Sequence, residues 1–220
     1  MLHNTRRLYG HALAARDGAI GHVRDFFFDE QSWVIRHLVV DTGSWKKGRL
    51  VLVSPQDLVG FDGDGRTLHV RLGRQQIEDG PSIESHRPIS RHYEADFYRY
   101  YGWPAYWNGG AARDRDGPPG GEFRDDRHLQ STHAINGFKI HTTDGAWGVV
   151  SGCMVDDQGW VIREVVVETG CWYAGKQVMI APGEIDHMSC ADAMVWVSPT
   201  RAALERSAEH RLVHAGLGAE

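Results

Sequence analysis

Apolar and polar positions alternate along this chain in short runs. Ile20 to Phe28 closes on Phe26-Phe27-Phe28, the polar stretch Asp29 to Ser32 follows, and Trp33 to Val40 is rich in β-branched residues. Two such segments around a short polar connection predict a β-hairpin. Asp17-Gly18 ahead of it predicts a tight turn, because glycine supplies the positive φ that such turns need. Thr42 to Gly48 reads as a further connection, and Leu50-Val51-Leu52-Val53 as a third strand ended by Pro55. Asp62-Gly63-Asp64-Gly65 turns the chain into a strand from Thr67 to Leu72.

The pattern occurs twice. Asp29-Glu30-Gln31-Ser32-Trp33-Val34-Ile35-Arg36 returns 127 residues later as Asp156-Asp157-Gln158-Gly159-Trp160-Val161-Ile162-Arg163. The register holds without a gap: Asp17-Gly18 falls on Asp144-Gly145, Gly21 on Gly148, Gly48 on Gly175, Pro55 on Pro182, Arg74 on Arg201 and Glu78 on Glu205. A period of this kind means one small domain present in two copies. The second copy repeats the strands as Val178-Met179-Ile180 and Ala193 to Val197. Several short strands separated by Gly-rich turns favour a small barrel over an open sheet. Each copy closes on a helical stretch, Gln75 to Asp79 in the first and Ala202 to Glu209 in the second, the latter with Ser198 as N-cap and Pro199 at the first helical position. The expected fold class is therefore all-β with short helices: two small β-barrels in tandem, over 1–81 and 133–220.

Residues 82–132 belong to neither barrel. The stretch Tyr93 to Trp107 is crowded with aromatics, and Tyr93, Phe97, Tyr100 and Tyr101 fall at helical spacing before a stop at Gly102 and Pro104. Asn108 to Asp126, built from Gly, Pro, Asp and Arg, reads as a flexible linker.

Gly10, Asp17-Gly18, Gly21, the Phe28-Asp29 turn, Trp33-Val34-Ile35-Arg36, Leu38-Val39-Val40-Asp41 and Val51-Leu52-Val53-Ser54-Pro55 resemble a PRC-barrel domain. This is the small β-barrel of the cytoplasmic part of the photosynthetic reaction-centre H subunit and of a ribosome-maturation factor. Asp144-Gly145, Gly148, Val161-Ile162-Arg163, Val166-Val167 and Ile180-Ala181-Pro182 carry the same resemblance in the second copy. Tyr100-Tyr101-Gly102-Trp103-Pro104 with Tyr106-Trp107 is similar to a bacterial group of tandem PRC-barrel proteins. The resemblance implies a binding or assembly module without catalytic residues, in place of an enzyme. Unlike the named relatives, the sequence shows neither a membrane helix nor a second domain type.

Composition changes this picture little. With 220 residues, 41% hydrophobic and 24% charged, the chain has an ordinary soluble make-up. A unit of about 75 residues is marginal by itself, which favours two copies that lean on each other. The net charge of −5 and the scatter of Lys and Arg argue against a nucleic-acid partner. Cys153, Cys171 and Cys190 are odd in number and show no C-x-x-C, which favours reduced thiols in a cytosol. Met1 to Gly10 has no apolar stretch of the signal-peptide kind, and no apolar run approaches the ~18 residues of a membrane span. The expectation is a cytoplasmic protein with no membrane span.

The candidate chemistry is sparse. Trp33, Trp45, Trp160 and Trp172 recur in both copies and are expected in packing, with ligand stacking the sharper alternative. Arg36 and Arg163 occupy equivalent places in apolar strands; each reads as a structural ion pair with Asp29 or Asp156, or else as an anion site for a small-molecule sensor at a cleft between the barrels. Asp62 to Gly65 reads as a hairpin turn, because a calcium loop needs ligands over twelve positions. The thirteen histidines lack metal-binding spacing and are expected at the surface. No metal and no cofactor is expected, and no nucleophile motif appears. Tyr93, Phe97, Tyr100, Tyr101, Trp103, Tyr106 and Trp107 remain as interaction candidates. They either pack within the molecule or form a patch for a protein partner or a homodimer.

Overall fold

Hydrophobic alternation and closely spaced turns produce an all-β structure with short helices. The computed structural model describes residues 1–43, 49–83, 89, 91–108, 129–170 and 176–207. Trp45, Trp172, Cys171, His128 and the expected linker beyond Asn108 lie outside the described residues. The strands are β1 (Leu2–Asn4), β2 (Ala12–Ala15), β3 (Gly18–Asp29), β4 (Ile35–Asp41), β5 (Leu50–Val53), β6 (Leu58–Phe61), β7 (Thr67–Val70) and β8 (Ser82–Ile83). They continue as β9 (Leu129–Ser131), β10 (Lys139–Thr142), β11 (Gly145–Asp156), β12 (Val161–Thr169), β13 (Lys176–Ile180), β14 (Ile185–Ser189) and β15 (Met194–Val197). The helices are α1 (Thr5–Leu8), α2 (Arg74–Asp79) and α3 (Arg91–Tyr101), with a further helical segment over residues 201–207. No helix among the described residues is long and apolar enough to cross a membrane.

One sheet runs β6-β7-β2-β3-β4-β5-β8 and the other β13-β12-β11-β10-β15-β14; β9 pairs with β3 and β1 with β11. The matched residues explain this common plan. Gly21 is required by close approach, since a Cβ there would lie 1.9 Å from the Asp41 carbonyl oxygen; at Gly148 it would lie 2.5 Å from that of Glu168. The Asp17 carboxylate accepts from the Arg74 backbone N–H at 2.8 Å, and Asp144 accepts from that of Arg201 at 3.1 Å. The turn of each hairpin thus caps the helix that closes the same copy. In the second copy Thr200, whose hydroxyl accepts from the Ala203 N–H, takes the place expected of Ser198. The helical segment accordingly begins at 201, beyond the proline.

The equivalence also reaches further toward the N-terminus than the motifs do. Leu2, Thr5 and Gly10 match Leu129, Thr132 and Gly137 at the same offset. β1, from the first copy, pairs antiparallel with β11 of the second, Leu2 facing Asp156 and Asn4 facing Met154. β9, the counterpart of β1, lies in the 82–132 stretch expected to belong to neither barrel, and it pairs with β3 of the first copy. The two copies have exchanged their opening strands.

The chain divides into two compact units that do not follow its linear order. One comprises Met1–Tyr9, Asp25–Arg36 and Gln130–Glu220, and the other Gly10–Arg24 and His37–Leu129. In the first, Phe26, Phe28, Ile35, Ile135, Ile140 and Ile162 are buried. In the second, Leu13, Ile20, Leu38, Leu52, Leu68 and Phe97 form the interior.

Candidate interaction site

The aromatic stretch forms a helix through Tyr101, as its spacing predicts. α3 stops at Gly102, whose φ of 70° opens the left-handed conformation. The Trp103 N–H then bonds the Tyr98 carbonyl at 2.9 Å and the Gly102 N–H that of Arg99 at 3.3 Å, a Schellman ending. This ending folds Trp103 back onto the helix, where its ring stacks on Tyr101 with centroids 4.7 Å apart.

Of the candidates, Phe97 is buried and meets the rings of Tyr93, Tyr98, Tyr101 and Trp103. Tyr93 is half-buried; its hydroxyl donates to the Pro81 carbonyl at 2.9 Å, and burial pushes its pKa up to about 12. Tyr101 is half-buried as well, and burial holds its hydroxyl well above the usual tyrosine range. A Cβ at Gly80 would lie 2.6 Å from that oxygen, so a side chain there would force the Tyr101 ring to shift. Tyr100 is 45% exposed and donates to the Gln76 carbonyl at 3.1 Å. Trp103, Tyr106 and Trp107 are half-buried.

The centre of the cluster is Tyr98, which the spacing did not single out. Buried, it contacts His37, Phe97, Trp103, Tyr106 and Trp107. Beside it lies a polar group equally absent from the candidates. His37 on β4 and Glu94 on α3 are both fully buried, with Nε2 3.2 Å from Oε1, and the Tyr106 hydroxyl donates to the same Glu94 oxygen at 2.9 Å. His37 thus departs from the expectation of surface histidines. Glu94 precedes Phe97 by three residues and Tyr98 by four, so helical spacing alone places it on their face.

The arginines meet carboxylates. Arg36 lies 3.5 Å from Asp29 and 3.2 Å from the Ser32 hydroxyl, and Arg163 lies 3.0 Å from Asp156. Asp29 and Asp156 also accept from backbone N–H groups of their own turns, at Gln31 and Gln158. Each turn ends on a tryptophan in the left-handed region, Trp33 at φ 58° and Trp160 at φ 51°. Bulky side chains seldom adopt this conformation, and both indoles are buried. That burial against Phe28 and Phe26 respectively offsets the backbone cost.

Asp62, in the Asp-Gly tract, accepts from the Arg66 and Thr67 N–H groups at 2.8 and 3.0 Å, as a hairpin turn requires. Among the described residues no group of three or more His, Cys, Asp or Glu side chains is placed to hold a metal ion. No protein-family model matches the chain, and no curated protein matches it.

Proposed function

We propose that the chain is a non-enzymatic binding or assembly module of the PRC-barrel kind, a tandem of two small barrels working in the cytoplasm through protein–protein association, self-association included. The observation that carries this reading is the aromatic surface at the end of α3. Tyr100 is exposed there, Tyr101 and then Trp103 stack next to it half-buried, and Trp107 is half-buried against Tyr98 and Tyr106. Rigid aromatic side chains of this kind supply much contact area for little lost entropy and carry most of the energy at many interfaces. Phe97 and Tyr98 support them from beneath.

The test is the molar mass in solution, by light scattering, of the intact protein and of Trp103→Ala/Trp107→Ala. A dimer or larger assembly that becomes a folded monomer in the variant supports the reading. Monomers in both cases, with only a lower Tm in the variant, would make the aromatic stretch internal packing and overturn it.

A further inference from the structure

A second surface, in the other compact unit, has the geometry of a strand acceptor. β14 is the last strand of its sheet: it pairs with β15 on one side, and among the described residues no strand pairs with its other side. A groove of about 570 Å³ runs beside it, lined in succession by Ile185, Asp186, His187 and Met188, with Glu30 and Trp33 from the turn after β3. Side chains of a strand alternate between the two faces of a sheet. In β14 a register shift between Ile185 and His187 interrupts this alternation and brings consecutive side chains to the groove, and the outer N–H and C=O groups of the strand have no strand partner among the described residues.

We propose that the free edge of β14 and this groove form a docking site for an extended, lysine- or arginine-rich segment of a partner protein, which adds to the sheet as a further strand. The charge of the groove selects the partner. Glu30 and Asp186 are its ionisable walls, His187 is the one described lining residue that could carry positive charge, and neither Lys nor Arg is among them. Each carboxylate has one oxygen engaged, Glu30 by the Gln130 amide at 2.9 Å and Asp186 by the Ser198 hydroxyl at 2.5 Å, which orients the other to accept. The His187 ring lies flat on Trp196, with centroids 4.3 Å apart, which holds it against the sheet. A carboxylate on an edge strand deters uncharged strands from pairing with it; a basic segment is paired by the same charge. Main-chain bonds then supply affinity, and alternate side chains supply specificity.

The probe is a capped hexapeptide of alternating lysine and valine, titrated into the intact protein and followed by ¹H–¹⁵N spectra and amide hydrogen exchange. The expected result is shifted, slowed amides across Ile185–Ser189, binding at least about tenfold weaker for Glu30→Gln/Asp186→Asn or for Asp186→Lys, and no binding of the same peptide N-methylated at alternate residues. Trp103→Ala/Trp107→Ala should bind the peptide like the intact protein, which separates this site from the aromatic one. Unchanged amides at 185–189 with millimolar peptide, equal binding of a glutamate–valine peptide, or full affinity after N-methylation would each overturn the proposal.

Discussion

The backbone N–H of Ile35 donates to the carbonyl of Trp160 at 2.7 Å, and the reverse bond, from Ile162 to Trp33, closes at 2.8 Å. Ile35 corresponds to Ile162 in the repeat, and Trp33 to Trp160, so the two bonds are one bond made twice. Val34 faces Val161 between them. The two hairpin turns thus meet through an isologous contact, of the kind usually found between identical chains. The left-handed tryptophans make it possible, because each ends its turn with a carbonyl free for the other copy.

This arrangement sets the response to substitution at the turns. Trp33→Ala and Trp160→Ala should each cost about 3–5 kcal/mol in urea denaturation, as large aromatic truncations do. The double variant should lose less than the sum, because the two sites share their contacts. Trp33→Gly should be no less stable than Trp33→Ala, since glycine adopts a φ of 58° without the penalty that a Cβ carries. A clearly worse glycine variant would show that the left-handed backbone does not set the cost.

The His37–Glu94 pair predicts a different asymmetry. Glu94→Ala should destabilise by about 3–5 kcal/mol, because it takes away the acceptor from a fully buried imidazole and from the Tyr106 hydroxyl. His37→Leu/Glu94→Leu should recover part of that loss, since it removes the buried imidazole together with its acceptor and leaves only the half-buried Tyr106 hydroxyl to find a new partner. Guanidinium midpoints of the single and double variants decide it.

Asp25 predicts a pH dependence of definite sign. It is drawn into the interior at the start of the second copy, where it accepts from the Ser131 hydroxyl, the Thr132 hydroxyl at 3.1 Å and the His133 N–H at 2.9 Å. Burial raises its pKa above 3.8, and the donors from Ser131, His133, Phe26 and Thr132 oppose the rise without cancelling it. Above 3.8 the unfolded chain releases this proton before the folded one does. Stability from this group is complete below that pH and is lost as pH rises through the folded value. Asp144 and Asp156 are held low, chiefly by hydrogen bonds from Thr142 and Arg163, and act with the opposite sign. The comparison is therefore with Asp25→Asn. Urea midpoints in steps from about pH 3 to 7 should show the intact protein losing stability relative to the variant as pH rises, and parallel curves would contradict the assignment.

The thiols should separate by reactivity. Cys153 is fully buried and burial pushes its pKa up to about 12, whereas Cys190 is exposed. Thiolate, the reactive form, is therefore scarce at Cys153 at neutral pH. In a Cys171→Ser background, Ellman's reagent should titrate one thiol per folded chain and two after guanidinium is added. Two fast thiols in the folded protein would refute the burial of Cys153.

Several of these features were legible in the sequence for a definite reason. Gly21 and Gly148, Asp17 and Asp144, and Arg74 and Arg201 stand out because each pair meets one local demand twice: a close approach, a cap or a helix start. The opening strands were not legible. Leu2 to Asn4 and Leu129 to Ser131 are too short to show a period, and their partners lie far away in the chain. Tyr98 and Glu94 do not stand out in the sequence because the aromatic spacing picks out Tyr93, Phe97, Tyr100 and Tyr101. The buried face runs instead through Glu94, Phe97, Tyr98 and Tyr101, and only the placement of His37 on β4 shows which of the two turns inward.

The exchanged opening strands bear on how the protein is made. β3 and β4 can pair soon after they leave the ribosome, but β1 cannot pair until β11 has followed it out. At about 5–20 residues per second, the roughly 150 residues between Leu2 and Asp156 take about 8–30 s to synthesise. During that interval the first copy carries an unsatisfied strand at its head and lacks the β9 strand that will later cover β3. The nascent chain is therefore most exposed to mispairing with its neighbours on a polysome in the first two thirds of its synthesis, before the second copy arrives.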